Sequence, residues 1–239
     1  MAPVFAVFGA TMAAVFILLP LFNITTGFRG DLLVIFYLLT IPSFSYVLGA
    51  VASGNPLASV GASREMKLIL SYELTFFLVI AGIIVKASQN FDLYSIIQMQ
   101  KDGAPFIGSI SGILLFIAGI FCIQAKLGLV PFDMAEAETE LSEGSFIEYS
   151  GPPYALIKLT KYIMLLILPC FLVALLMKGF NLHGINILWA FLKVAGVVLL
   201  LTLIRNTNPR IKIRQAISFF MIWMNLIAIV AVVLAFFGL

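Results

Sequence analysis

Seven apolar runs, each close to the length of a membrane-crossing helix, constrain this chain more than any other feature of its sequence. A helix crosses the hydrocarbon core with about 20 mostly apolar residues, and 62% of the 239 residues are hydrophobic while only 10% are charged. No β-barrel alternation is visible, and the backbone in lipid must then satisfy its own hydrogen bonds as helices. We therefore expect an all-α integral membrane protein, a bundle of seven transmembrane helices in a single polytopic domain over residues 1–239. The predicted spans cover roughly residues 3–22, 32–52, 66–86, 106–125, 154–177, 187–204 and 216–237.

The lysines and arginines divide unevenly between the two sides of this predicted bundle. Nine lie in loops or helix ends on one side, namely Arg64, Lys67, Lys126, Lys158, Lys161, Arg205, Arg210, Lys212 and Arg214. Four lie on the other side, namely Arg29, Lys86, Lys101 and Lys178. Basic residues accumulate on the cytoplasmic side of membrane proteins, so the asymmetry predicts a cytoplasmic N-terminus and an external C-terminus in the inner (plasma) membrane. The net charge of +3 informs orientation and gives no indication of nucleic-acid binding.

The segment from Pro131 to Gly151 carries six of the chain's eleven acidic residues, and apolar runs flank it on both sides. If it forms a short amphipathic helix, Glu136, Glu140 and Glu143 share one face, with Asp133 nearby and Glu138 on the opposite face. Carboxylates beside hydrocarbon are costly and are typical of ion pathways or of docking sites for charged partners. A solvated acidic loop between two helices explains the same composition. Both interpretations stay open at this level.

Two polar residues lie inside predicted spans. Glu73 lies about two turns into the third span, and its short side chain predicts that it faces the bundle interior. Lys193 lies in the sixth span, and we expect its long side chain to reach the interface. Lys158 and Lys161 share a helical face behind the acidic segment and either neutralise its carboxylates or only anchor the fifth span.

Cysteine and histidine give no indication of a metal or redox site in this chain. Cys122 and Cys170 both lie inside apolar runs and are expected to be buried hydrophobic side chains. His183 is the only histidine, so no histidine-based metal site is expected.

Three stretches resemble one family. PFDMAEAETELSEGSFIEYSG (131–151) resembles the signature loop of the membrane subunit that joins the peripheral and membrane arms of respiratory complex I and of membrane-bound hydrogenases. REMKLILSYEL (64–74) resembles the family's segment that ends in Ser-Tyr-Glu, which places Glu73 on its intramembrane glutamate. NPRIKIRQAISFF (208–220) resembles the basic cytoplasmic loop before the last helix. The matches occur in order over residues 64–220.

The resemblance implies two sets of functional residues and no catalytic residue. The implied proton or charge relay consists of Glu73, Asp133, Glu136, Glu138, Glu140, Glu143, Lys158 and Lys161. The implied docking set for the peripheral arm consists of Arg64, Glu148, Arg205, Arg210, Lys212 and Arg214. The implied partners are peripheral hydrogenase-like and Fe–S subunits, antiporter-like membrane subunits and the lipid bilayer. The cofactors implied are Fe–S clusters in partner subunits, with a nickel–iron centre if the partner is a hydrogenase, and none in this chain.

Departures from the family pattern favour the hydrogenase-like branch. Quinone-reducing members carry an acidic residue and an arginine just before Pro-Phe-Asp, whereas this chain has Leu129 at the arginine position. Ile213 and Arg214 stand where their last loop has Tyr and Asp. The family also usually has eight helices, so we expect residue 1 to correspond to the start of the second one.

The function implied is that of a membrane subunit that anchors an electron-transfer arm and couples its chemistry to proton or sodium translocation. Three alternatives remain open from the sequence. They are a quinone-site subunit of an NADH:quinone oxidoreductase-type complex, a stand-alone secondary transporter and a passive membrane anchor. The transporter is the least favoured of these, since no inverted repeat is visible.

Overall fold

The fold comes from a computed structural model, which describes residues 1–22, 32–135, 144–180 and 186–238. The described residues form helices and short turns. The helices are α1 (Ala2–Leu21), α2 (Leu32–Ala52), α3 (Pro56–Lys86), α4 (Leu93–Asp102), α5 (Ile110–Lys126), α6 (Pro152–Leu176), α7 (Asn186–Thr207) and α8 (Ile213–Phe236). Single 3₁₀ turns occupy Phe106–Gly108 and Gly144–Phe146.

Six of these helices are long and apolar enough to cross a membrane, namely α1, α2, α3, α6, α7 and α8. The apolar helix α5 is shorter, at 17 residues. Their outward surfaces carry large apolar side chains such as Tyr37, Leu166 and Phe191, as expected of helices in contact with lipid. The chain is a multi-pass, all-α membrane protein.

Helix α3 lies at the centre and packs against α2, α5 and α8. Its buried aromatic side chains make the contacts. Tyr72 packs edge-on against Phe220 of α8, and Phe76 packs edge-on against Phe171 of α6, with ring centroids 6.3 and 6.2 Å apart. The centre of the bundle is therefore built around the same helix that carries Glu73.

Helix α3 begins at Pro56, ten residues before the predicted span over 66–86. Asn55 caps the helix, because its Oδ1 accepts a hydrogen bond from the Leu57 backbone N–H at 2.9 Å. Pro56 then occupies the first turn, where its missing N–H is not needed. The 31 residues of α3 extend about 46 Å at 1.5 Å per residue. That length exceeds a hydrocarbon core of about 30 Å, so one end of α3 stands clear of it.

Helix α4 was not predicted. It begins at the Asp92 cap, whose carboxylate accepts from the backbone N–H groups of Tyr94 and Ser95. Its buried face ends in Gln100, whose side-chain amide donates to the carbonyls of Ala174 and Leu175 at the end of α6. The next helix, α5, starts at Ile110 after a 3₁₀ turn, four residues later than expected.

Helix α8 contains a π-helical stretch, Phe219–Met224. Such stretches are rare in proteins and occur often at functional sites. Directly after it, Asn225 accepts a hydrogen bond from Thr75 Oγ1 at 2.7 Å, deep between α8 and α3.

Contacts between the loops define two sides of the bundle. On one side Asn55 donates to Glu148 at 2.6 Å, and the Ile211 N–H donates to the Pro131 carbonyl; we call this the acidic-segment side. On the other, which we call the α4 side, the Lys178 ammonium donates to the Gly103 carbonyl at 2.7 Å.

Candidate functional site

Glu73 and Lys126 form a buried ion pair between α3 and α5. The ammonium nitrogen lies 2.5 Å from Glu73 Oε1, and the two side chains are 1% (Lys126) and 14% (Glu73) exposed. Charges removed from water are stable only when they are paired and hydrogen-bonded. The structure therefore places Glu73 in the interior, as predicted, and gives it a counter-charge from the last residue of α5.

Aromatic rings surround the Lys126 ammonium on the α2 and α3 sides. The faces of Phe76, Tyr72 and Phe36 lie 5.0, 5.5 and 5.8 Å from its nitrogen. Ring faces attract a desolvated cation and exclude water. Within the described residues, Glu73 Oε2 is buried without a hydrogen-bond partner, so one oxygen of the carboxylate remains available to bind a proton.

A second charged cluster surrounds a cleft of about 500 Å³ on the acidic-segment side. Asp133 and Arg210 form an ion pair at 2.6 Å, and both line this cleft. The other charged residues that line it are Lys158, Lys161 and Arg205. Three members of the predicted relay (Asp133, Lys158 and Lys161) thus lie around one cavity, together with two residues of the predicted docking set.

The lysines of this cleft also contact aromatic rings. The Lys158 ammonium lies 5.0 Å from the ring centre of Tyr154. The Lys161 ammonium lies 4.7 Å from the ring centre of Phe146, which belongs to the 3₁₀ turn that follows the acidic residues. This contact places Lys161 beside the 3₁₀ turn within the acidic segment.

Four of the predicted relay carboxylates, Glu136, Glu138, Glu140 and Glu143, lie outside the described residues. The flanking residues are described, and they pack against the extended end of α3. A Cβ atom added at Gly61 would lie 2.8 Å from the Ser145 backbone nitrogen and 3.1 Å from the Ala135 carbonyl oxygen. Ala135 and Ser145, the described residues on either side, therefore lie close to α3.

The docking residues predicted from the sequence all lie on the acidic-segment side. Glu148 is exposed and accepts from Asn55, while Arg64 donates to the Met134 carbonyl at 3.5 Å. Lys212 and Arg214 are exposed at the start of α8. Arg210 is half-exposed and engaged by Asp133, so it contributes to the fold of this chain as well as to its surface.

Sequence reasoning missed Lys126 as a site residue. It is one of the nine basic residues counted for orientation, and no partner within the chain is predicted for Glu73 in particular. The structure supplies that partner, because α5 ends at the level of Glu73 and its last side chain fills the site. A buried carboxylate requires a nearby cation. The position of Lys126 at the end of an apolar run was therefore the signal that could have identified it as the partner of Glu73.

Lys193 contacts the end of α6. Its ammonium donates to the carbonyls of Met177, at 2.7 Å, and of Gly179, at 3.4 Å. Carbonyls at a helix C-terminus lack intrahelical partners, so Lys193 caps α6 in addition to reaching the α4 side. This geometry assigns it a structural role.

The cysteines behave as predicted, since Cys122 and Cys170 are free and buried. Among the described residues, no group of three or more His, Cys, Asp and Glu side chains is placed to hold a metal ion. The cofactors expected in partner subunits stay predictions.

Comparison with known proteins identifies the family. The model of the NADH dehydrogenase family matches residues 1–236. One NADH-quinone oxidoreductase subunit of Rhizobium etli is 30% identical over 236 residues, which cover 91% of this chain and 66% of that protein. Hydrogenase-4 component C of Escherichia coli K12 is 34% identical over 152 residues, which cover 62% of this chain and 47% of that protein. The chain spans between about half and two thirds of the length of the curated relatives it matches.

A solved structure has the same fold. The chain aligns with a chain of the membrane-bound sulfane sulfur reductase, an archaeal respiratory membrane complex, with a TM-score of 0.90 and 27% sequence identity. The alignment covers 98% of this chain and 78% of that one. With a family match over nearly its whole length and this fold, the chain belongs to the NADH dehydrogenase family.

Proposed function

We propose that this chain is a membrane subunit of an energy-converting redox complex. In this proposal it anchors a peripheral electron-transfer arm and couples the redox chemistry of that arm to proton or sodium translocation. The relatives named above belong to NADH-quinone oxidoreductases, to a hydrogenase and to a respiratory membrane complex, which supports this class of assembly. The observation that carries the coupling role is the buried Glu73–Lys126 pair, because a passive anchor has no need of two ionisable groups in its interior.

The proposal includes seven spans and a defined orientation. Helix α5, with 17 residues, is at the lower limit for crossing the hydrocarbon core, and it would be the seventh span beside the six longer helices. The acidic-segment side, with nine basic residues in the sequence, would face the cytoplasm. The N-terminus would then be cytoplasmic and the C-terminus external.

Labelling of single cysteines tests this orientation. Asn206, on the acidic-segment side, and Asn90, on the α4 side, are both exposed. A cysteine at residue 206 should react with a membrane-impermeant maleimide only in inside-out vesicles. A cysteine at residue 90 should react only in intact cells. The reverse pattern would overturn the orientation and with it the docking role.

The acidic-segment side, which exposes several basic side chains, would bind the peripheral arm. The Fe–S clusters of that arm would carry the electrons. Antiporter-like subunits would contact the apolar sides of the bundle. Affinity purification of the tagged chain from its native membrane tests both roles. Peripheral Fe–S subunits and antiporter-like subunits should be recovered together, whereas isolation of the chain alone would contradict the proposal.

A quinone-site subunit is the second candidate, because several of the relatives matched are subunits of NADH-quinone oxidoreductases. Against it, the described lining of the cleft carries four cationic side chains and one carboxylate beside its leucines, Val130 and Tyr162. An uncharged quinone ring gains little from such a lining. We therefore favour the hydrogenase-like branch, and quinone reductase activity in the purified complex would decide for the alternative.

A further inference from the structure

A small cavity lies between the buried ion pair and the cleft, and it contains ionisable groups that the proposed function leaves unassigned. Its volume of about 20 Å³ has room for about one water molecule. Lys126 lines it, together with the polar side chains of Ser43, Tyr46, Glu65 and Lys161. Leu127, Gly128 and Lys161 line both this cavity and the cleft. Lys126 therefore has Glu73 on one side and, on the other, a cavity that shares lining residues with the cleft.

The charges of the pair are coupled by burial. As an ammonium and a carboxylate, Lys126 and Glu73 are neutral together. A proton that binds Glu73 Oε2 leaves an unpaired ammonium that is only 1% exposed, and an unpaired buried charge is strongly unfavourable. The site regains neutrality when the ammonium releases a proton. Phe36, Tyr72 and Phe76 close the α2 and α3 sides of Lys126, so the small cavity is the polar side to which that proton can go.

We propose that Lys126 is a second proton carrier of this site, which passes protons between Glu73 and the cavity that it shares with Glu65. The inference rests on the proposed coupling function and adds a residue to it. One cycle balances as follows. A proton binds the Glu73 carboxylate, the Lys126 ammonium releases a proton to the Glu65 carboxylate or to water in the cavity, and the Glu73 carboxylic acid then protonates the Lys126 amine. The pair returns to its starting charges after one proton has crossed it.

Substitution of Lys126 by arginine separates a carrier from a structural counter-ion. Arginine keeps the positive charge and the ion pair but does not release its proton in proteins. The experiment uses the whole complex reconstituted in vesicles, and it measures ions translocated per electron transferred by the peripheral arm. Lys67→Arg, at an exposed position of the same α3 that carries Glu73, is the matched control. We expect at least a tenfold fall for Lys126→Arg and no change for Lys67→Arg.

The outcomes distinguish this inference from the proposed function. A normal ratio in Lys126→Arg, with a fall in Glu73→Gln, would overturn the carrier role and leave the coupling function intact. A normal ratio in both variants would overturn both. If Lys126→Arg does not assemble, Lys126→Gln keeps Glu73 and a hydrogen-bond donor to it but cannot bind or release a proton. The carrier role predicts that the assembled Lys126→Gln complex translocates no ions, and normal translocation in it contradicts that role.

Discussion

Two polar side chains of α3 form hydrogen bonds with partners on neighbouring helices. Tyr72 donates to Ser43 at 3.2 Å, and Thr75 donates to Asn225 at 2.7 Å. Hydrogen bonds between membrane helices stabilise by about 0.6 kcal/mol on average and by up to about 1.7 kcal/mol. These contacts therefore fix the rotation of α3, and so the direction of Glu73, more than they contribute to total stability.

Thr75→Val removes the donor to Asn225 while it preserves the shape of the side chain. We expect a loss of about 1 kcal/mol in the free energy of unfolding, because the Asn225 oxygen then stays buried without its donor. Thermal or denaturant unfolding of the purified complex in detergent measures it. Thr202→Val is the control, since the Thr202 hydroxyl is exposed and bonds only within its own helix. Equal stability of both variants would show that the contact between α3 and α8 is dispensable.

The sequence was sufficient to predict that Glu73 faces the interior but not what it contacts. A carboxylate with a short side chain in an apolar run has few alternatives to the interior. Its partner lies 53 residues away along the chain and depends on where α5 ends. Residue spacing contains no information on that, so Lys126 was interpreted as an anchor at a helix end.

At the scale of elements, α3 both crosses the membrane and supports the acidic segment. Gly61, in its second turn, packs closely against Ala135 and Ser145 of that segment. The predicted span starts only at residue 66, because the Gly, Pro and Ser residues before it are typical of turns. Proline is also favourable in the first turn of a helix, and here the Asn55 cap starts α3 directly before Pro56. The amphipathic helix α4 was missed because it is short, with 10 residues.

Gly61→Ala tests the close contact between α3 and the ends of the acidic segment. The new methyl group would meet the backbone of Ser145 and Ala135, which cannot move aside as a flexible side chain can. Such overpacking costs about 1–3 kcal/mol, more than the gain of about 1 kcal/mol from replacing glycine by alanine in a helix. We expect a lower melting temperature. Gly196→Ala is the control, because its new methyl group would have no neighbour within 4 Å outside its own helix backbone. It should leave the melting temperature unchanged or raise it. A lower melting temperature for Gly196→Ala than for Gly61→Ala would contradict the contact.

At the scale of the whole molecule, the two sides of the bundle differ in what they offer a partner. On the acidic-segment side, Lys212 and Arg214 are exposed near the half-exposed Arg210. On the α4 side, the basic residues Lys178 and Lys193 donate to backbone carbonyls of the bundle itself. The charge asymmetry of the sequence therefore corresponds to a real difference between surfaces, and its assignment to the cytoplasm stays a prediction.

Arg214→Glu tests the docking role of the acidic-segment side. Reversing an exposed charge opposite a complementary partner costs several kcal/mol, so we expect at least a tenfold weaker association with the peripheral subunits. Co-purification at increasing salt measures it. Asp102→Lys, an equally large charge change at an exposed residue on the α4 side, should have no effect. Arg210→Glu is less informative, because it also breaks the pair with Asp133. Full retention of the peripheral subunits by Arg214→Glu would remove this residue from the interface.

The central claim is that the buried Glu73–Lys126 pair couples redox chemistry to ion movement. The most direct test is the number of protons or sodium ions translocated per electron by the reconstituted complex with Glu73→Gln. Glutamine keeps the shape of the side chain and an oxygen for Lys126 but cannot bind or release a proton. The account predicts that the ratio falls at least tenfold in Glu73→Gln and stays normal in Asp102→Asn, an exposed carboxylate on the α4 side. A normal ratio in an assembled Glu73→Gln complex would contradict the account and reduce the pair to a packing contact.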